Sequence, residues 1–289
     1  MCVIIGIWLL ALGSLVCAES RGPARGTLVI VGGGRMTRAV VDEFIESAGG
    51  IDAPFVIVPT ALEGEDWGEE YMARSFLVRA GAKDVTVLHT RDPEVANTDE
   101  FVDPLLRAKG VWFDGGRQWR LADAYLKTKA LDEFHAVLLR GGAIGGSSAG
   151  ATIQGSYLVR GALEGNTIMM APGHEVGFGF VTDCAIDQHV IARKRHNDLA
   201  PVIATHPELL GLGIDEATAA VVRGHELKVV GDSKILIHHR DLPPREDCTS
   251  YETLETGTVY DLANRKVISR PPPQPPAESP LEPSPVPEK

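Results

Sequence analysis

The sequence predicts an α/β domain: a mostly parallel sheet with helices on both faces, followed by antiparallel strands near the C-terminus. Three observations predict it. Short, almost wholly apolar runs recur through the first half of the chain, each closed by glycine, proline or a polar residue. Continuous apolar runs of this length are what strands covered on both faces require. Between them apolar residues fall at helical spacing, so strand and helix alternate. Beyond Ala185 the pattern changes to short runs separated by single glycines, which is a hairpin signal.

The elements follow in order. Residues 27–31 (TLVIV) precede Gly32-Gly33-Gly34, and residues 55–58 (FVIV) precede Pro59-Thr60. Residues 85–88 (VTVL) precede His89-Thr90, and residues 110–113 (GVWF) precede Asp114-Gly115-Gly116. Leu121, Ala122 and Tyr125 share one helical face, as do Leu131, Phe134 and Leu138. A fifth strand over 143–145 leads into Gly146-Ser147-Ser148-Ala149-Gly150. Residues 193–205 read as a helix stopped near Pro207. Strands at 219–222, 226–230 and 235–238, punctuated by Gly224 and Gly231, read as hairpins. No internal repeat is visible.

The flanks differ from this pattern. Residues 3–16 (VIIGIWLLALGSLV) carry no charge and are followed by Val16-Cys17-Ala18 and Glu19. The run is short for a membrane span and ends on small residues. It reads as a signal peptide over 1–18, with a lone N-terminal anchor as the alternative. A signal implies a secreted or periplasmic protein with no stable membrane insertion after its removal. Residues 19–26 read as a linker, 27–268 as the folded domain and 269–289 as a proline-rich tail without helix or ladder. The net charge of −11, with no long basic run, argues against nucleic acid as a partner. Signal removal would leave Cys184 and Cys248, too few for a disulfide framework, although export permits one bridge.

In a parallel α/β sheet ligands collect beyond the carboxyl ends of the strands, so the three glycine clusters should meet at one rim. Residues 146–150 fit G-x-S-x-G, which sets a serine on a sharp strand-to-helix turn with its hydroxyl exposed. Ala149 then opens a helix, and its N–H can face a developing oxyanion. A glycine-rich turn cradling a phosphate is the alternative reading. A serine nucleophile needs a base, and the base an orienting acid. Of nine histidines, His189 ends a short apolar run as Ile186-Asp187-Gln188-His189. Asp215-Glu216 interrupts another apolar stretch, and Glu216 there is either an orienting acid or a turn carboxylate.

Together Gly115-Gly116-x-Gln118, Gly146-x-Ser148-Ala149-Gly150-Ala151, Asp187-Gln188-His189 and Gly213-Ile214-Asp215-Glu216-x-Thr218-Ala219 resemble the cyanophycinases. They are more distantly similar to dipeptidase E of the same serine-peptidase family. Four motifs in order across residues 27–240 are far more specific than one. The resemblance implies a flavodoxin-like fold related to class I glutamine amidotransferases, with serine in place of their cysteine. It implies Ser148 as nucleophile, His189 as general base and Glu216 as its acid. It also implies the N–H groups of Gly116 and Ala149 as oxyanion hole, and Gln118, Asp187, Gln188, Arg193 and Arg195 as substrate contacts. The implied substrate is cyanophycin, a poly-aspartate whose side chains carry arginine, cleaved to β-aspartyl-arginine dipeptides. An exopeptidase acting on Asp-Xaa peptides is the variant that dipeptidase E suggests. No metal or organic cofactor is implied, and a homodimer is. Arg193 and Arg195 suit carboxylates or form a solvated helix face, and the acidic stretch 63–70 around Trp67 suits guanidinium groups or is a charge cluster at a helix N-terminus.

The chain departs from the cyanophycinases at two places. Arg117 stands where they carry aspartate, and Asp198 where they carry a basic residue.

Four other readings compete, and one of them, a catalytically silent binding protein, is opposed by the intact serine, histidine and acid. Gly32-x-Gly34-x-x-Thr37 approaches a dinucleotide fingerprint, but the third glycine is absent and no carboxylate follows the second strand. An α/β-hydrolase esterase shares the serine elbow but places its acid before its histidine. For a metal site, HExxH is lacking, and His238-His239 would point to opposite faces of a strand.

Overall fold

A computed structural model describes residues 21–65, 67–242 and 251–272. The expected signal segment, Cys248 and the tail beyond residue 272 lie outside the described residues. The chain runs β1 (Thr27–Val31), α1 (Arg38–Ser47), β2 (Phe55–Val58), α2 (Glu69–Arg74), α3 (Phe76–Ala80), β3 (Val85–Val87), α4 (Pro93–Ala96) and α5 (Asp99–Arg107). It continues through β4 (Gly110–Phe113), α6 (Gln118–Tyr125), α7 (Lys129–Leu139), β5 (Ala143–Ser147), α8 (Ala149–Thr152), β6 (Gly155–Tyr157) and β7 (Val181–Gln188). Then come α9 (Ala200–Thr205), β8 (Leu210–Ile214), β9 (Thr218–Arg223), β10 (Glu226–Gly231), β11 (Lys234–His238), β12 (Glu252–Glu255), β13 (Val259–Asp261) and β14 (Lys266–Ser269).

The main sheet has the order β14-β13-β10-β9-β1-β5-β4-β2-β3. Its half from β1 to β3 is parallel, and β9, β10, β13 and β14 extend it antiparallel. The apolar runs are explained by their alternation. Leu28, Ile30, Val56, Val58, Val111 and Phe113 point into one core, while Val29, Val31, Phe55, Ile57 and Trp112 point into another. Helix α1 covers the second face through Val40, Val41, Phe44 and Ile45. Helices α6 and α7 cover the first through Leu121, Tyr125, Phe134 and Val137. Both faces of β1, β2, β4 and β5 are therefore largely dry, with polar side chains only at the strand ends, Thr27 and Ser147.

Two expectations are corrected. The strand over 235–238 does not form a hairpin with the strand before it. A second sheet, β12-β11-β8-β7-β6, packs its Ile186, Leu212, Ile214, Ile235 and Ile237 into the first core. The β9–β10 hairpin forms as expected, but β11 crosses over to pair with β8 and β12. The expected helix over 193–205 is also shorter, because only 200–205 is helical. Pro201 lacks an N–H and fits only a first helical turn, so it opens this helix where a longer one would have put it in the interior. Lys194, with φ of 58°, is likewise outside helical geometry.

Candidate active site

The site forms where the two sheets meet. Strand β5 of the main sheet delivers Ser148, β7 of the second sheet delivers His189, and the turn passing from β8 to β9 delivers Glu216. Ser147 is the last residue of β5 and pairs with Val31. Ser148 leaves the strand at φ 56° and ψ −111°, a conformation that costs energy for any residue with a side chain. Its N–H donates to Val31 O at 3.0 Å, and α8 begins at the next residue. The bend turns the hydroxyl toward His189, and Ser148 Oγ lies 2.9 Å from His189 Nε2. His189 Nδ1 lies 2.6 Å from Glu216 Oε1. A carboxylate only accepts, so Nδ1 carries the proton and Nε2 offers its lone pair to the serine. His189 itself sits at φ 56° and Ala217 at φ 54°, so strained backbone recurs at all three corners.

Burial pushes the His189 pKa down; its hydrogen bond to Glu216 opposes this, and Arg193 and Arg195 lower it further. The imidazole is thus neutral at neutral pH.

The glycines after β1 do not cradle a nucleotide. Gly33, at φ 116°, underlies the histidine, where a Cβ would fall 2.1 Å from His189 Cε1. A Cβ on Gly34 would fall 2.8 Å from Glu216 Oε2. The space a phosphate would need is filled by the imidazole and the carboxylate, which overturns the dinucleotide reading. The turn after β4 is the other wall. A Cβ on Gly115 would lie 3.3 Å from Ser148 Cβ. Gly116, at φ 134°, leaves no room for one, since it would fall 2.1 Å from Ala61 O. The N–H groups of Gly116 and Ala149 meet no acceptor among the described residues.

The expected substrate contacts divide. Arg193 is exposed and makes no ion pair among the described residues. Arg195 is half-buried, and its guanidinium donates to Gln188 Oε1 at 3.0 Å. Gln118 and Asp187, in contrast, lie beneath the site. Gln118 is 1% exposed and donates to Val159 O at 2.9 Å. Asp187 is 0% exposed, with both oxygens accepting from the buried Arg160 at 2.7 and 2.9 Å. Burial and these partners engage both side chains within the protein.

The acidic stretch 63–70 is also partly neutralised from within. Arg91 pairs with Glu65 and donates to the Leu62, Glu63 and Gly64 carbonyls, while Glu70 pairs with Arg74. Trp67 packs edge-on against Tyr71 and His89, with ring centroids 5.0 and 5.4 Å away.

Two supports were not foreseen. Arg160, fully buried at φ 57°, also donates to Asp198 Oδ2 at 2.6 Å and Asn166 O at 2.6 Å. It was detectable only as a lone charge in the apolar run Leu158-Val159-Arg160-Gly161-Ala162. Asp215 accepts from the Ile191 and Ala192 N–H groups, each at 3.0 Å, and from Ser233 Oγ at 2.7 Å. It ties the loop after His189 to the β10–β11 turn. Replacing Arg160 by methionine strands the Asp187 charge in the interior, at an expected cost of about 3–5 kcal/mol in urea denaturation. Arg160→Met/Asp187→Asn should recover part of that loss, because the orphaned charge is gone.

A serine hydroxyl on a strained bend, a neutral imidazole against it and a carboxylate behind are the equipment of a serine-type hydrolase. The comparisons make the class specific. The sequence pattern of peptidase family S51 matches residues 28–230, and the chain belongs to that family of serine-type peptidases. It is 30% identical to the cyanophycinase of Geminocystis herdmanii over 220 residues, covering 74% of this chain and 80% of that one. It is 32% identical to the cyanophycinase of Nostoc sp. over 233 residues, covering 76% of each. The crystal structure of a peptidase from an acI-B1 actinobacterium superposes with a TM-score of 0.64 at 26% identity, covering 83% of this chain and 98% of that chain.

Proposed function

We propose that the protein hydrolyses aspartyl and β-aspartyl peptide bonds through a Ser148–His189–Glu216 acyl-enzyme mechanism, with cyanophycin as the leading substrate. The observation that carries the mechanism is the unbroken row from Ser148 Oγ through the imidazole to Glu216, at 2.9 and 2.6 Å. Ser148 Oγ attacks the scissile carbonyl carbon and His189 Nε2 takes its proton. The carbonyl oxygen becomes an oxyanion facing the free N–H groups of Gly116 and Ala149, each such donor being worth about 3 kcal/mol in the barrier. Collapse breaks the C–N bond, and His189 returns the proton to the departing amine. Water then attacks the Ser148 ester, with His189 again as base, and releases the acid.

The substrate reading is supported by the exposed Arg193 and the Gln188-oriented Arg195, both within electrostatic reach of His189. Guanidinium groups at that distance from the reacting bond suit the carboxylate of an aspartyl residue. The relatives named cyanophycinase point the same way. Asp198, in place of the family's basic residue, is turned to Arg160 and so completes a buried network without removing either guanidinium.

The test is to incubate the purified chain with cyanophycin and with α- and β-aspartyl dipeptides, following release of β-aspartyl-arginine and of free amino acids. No turnover of any of these would overturn the substrate reading. The same assay against pH checks the base. Because only neutral His189 accepts the proton and burial lowers its pKa, kcat/KM should rise with pH along one limb centred below the ordinary histidine value of 6.5 and then level off. A limb centred above 6.5 would rule out His189 in this role.

A further inference from the structure

A hollow of ≈ 690 Å3 lies between α1, the α2–α3 corner and the ends of β2 and β4. Its size is within the range of about 300–1,000 Å3 typical of ligand sites. Two of its lining residues are chain neighbours of glycines that pack against the serine site. Asp114 lines it, and the next residue, Gly115, backs the Ser148 side chain. Arg35 lines it from the other side and follows Gly34, which abuts the Glu216 carboxylate.

Its charge is unlike the rest of the molecule. On a chain of net charge −11, four arginines, Arg35, Arg38, Arg74 and Arg79, surround one hollow. Three of them pair with Asp232, Asp42 and Glu70 across exposed surface, where such pairs are weak and exchange readily. Arg79 makes no ion pair among the described residues. The only carboxyl in the lining, Asp114, accepts from Tyr71 Oη and from Trp112 Nε1 at 3.1 Å. Burial also raises its pKa, which weakens its repulsion of an anion. The walls beneath the arginines are apolar, formed by Phe76 and Trp112. Apolar walls under a ring of guanidinium groups fit a chain with short aliphatic stems ending in carboxylates.

We propose that this hollow is an extended subsite that holds free carboxylates borne by the residues flanking the scissile bond of a peptide substrate, whether side-chain carboxylates or those of branching amino acids. The proposal rests on the reading of Ser148 as the residue at which the bond is cut, and its test does not depend on turnover.

The probes are two fluorescein-labelled β-aspartyl dipeptides, one extended by three glutamates on its amino side and one on its carboxyl side, alongside the unextended dipeptide. Binding to the Ser148→Ala chain is followed by fluorescence anisotropy. At least one extension should tighten binding about tenfold, and Arg38→Ala/Arg79→Ala should abolish that gain. Arg38→Lys/Arg79→Lys, which keeps the charge, should retain most of it. Arg107→Ala, which removes a surface arginine outside the hollow, should leave it intact. The proposal is overturned if neither extension tightens binding, or if the gain survives Arg38→Ala/Arg79→Ala in a chain whose melting temperature is unchanged. Failure of the wild type to cut any aspartyl peptide, with these binding results as expected, would instead count against the hydrolytic reading alone.

Discussion

Ser148→Ala should lower kcat/KM at least about ten-thousand-fold while leaving the fold intact. The side chain is half-buried and its hydroxyl meets only His189, so its removal opens no large cavity and takes a partner from His189 Nε2 alone. Alanine at φ 56° is strained, but the serine it replaces is strained there equally. The loss should therefore fall on turnover and not on melting temperature. Ser147→Ala is the control. Ser147 lies within β5, paired with Val31, and its replacement should cost far less activity. Equal losses in the two variants would remove Ser148 from the role of nucleophile.

Glu216→Gln should have the next largest effect, roughly a thousand- to ten-thousand-fold in kcat with a small change in KM. The carboxylate accepts from His189 Nδ1 at 2.6 Å and thereby leaves Nε2 unprotonated toward the serine. An amide in the same place can turn its NH2 toward Nδ1, which would put the ring proton on Nε2 and leave nothing to accept from Ser148. The carboxylate also stabilises the imidazolium formed during attack, which glutamine does not. The pH profile should change with it, because the bond to Glu216 is what partly offsets burial. In Glu216→Gln the acid limb should move to lower pH. Asp215→Asn probes the neighbouring carboxylate, which holds the loop after His189 by two backbone N–H groups and does not touch the ring. Its effect should appear as lost stability more than lost chemistry.

Much of the architecture was legible in the chain. Alternating apolar runs and helical faces mark β1, β2, β4 and β5 and the helices α6 and α7 between Gly116 and Gly142, because burial on both faces leaves its imprint on each residue separately. The four motifs also pointed to Ser148, His189 and Glu216, and the structure brings these within hydrogen-bonding distance. Other features were hidden for identifiable reasons. Gly33 and Gly34 looked like a phosphate loop because a glycine states only that something approaches closely. What approaches is His189 at Gly33 and Glu216 at Gly34, each more than 150 positions later in the chain. Asp187 and Gln118 sat in motifs next to chemistry, yet their partners, Arg160 and Val159, turn them inward. The over-long helix before Pro207 was a misreading of local evidence, since Pro201 already marked a first turn.

By itself the sequence marked most of the segments that become strand or helix, where the chain must bend sharply, and which serine, histidine and glutamate to expect side by side. Only the tertiary structure decided that β7 and β8 lie in a second sheet, that the site lies in the seam between two sheets, and which carboxylate meets His189 and which meets Arg160. The reason is physical. The period and polarity of a segment record whether it is buried, and that is a property of the segment; the identity of what buries it is a property of two segments at once, and no local pattern contains it.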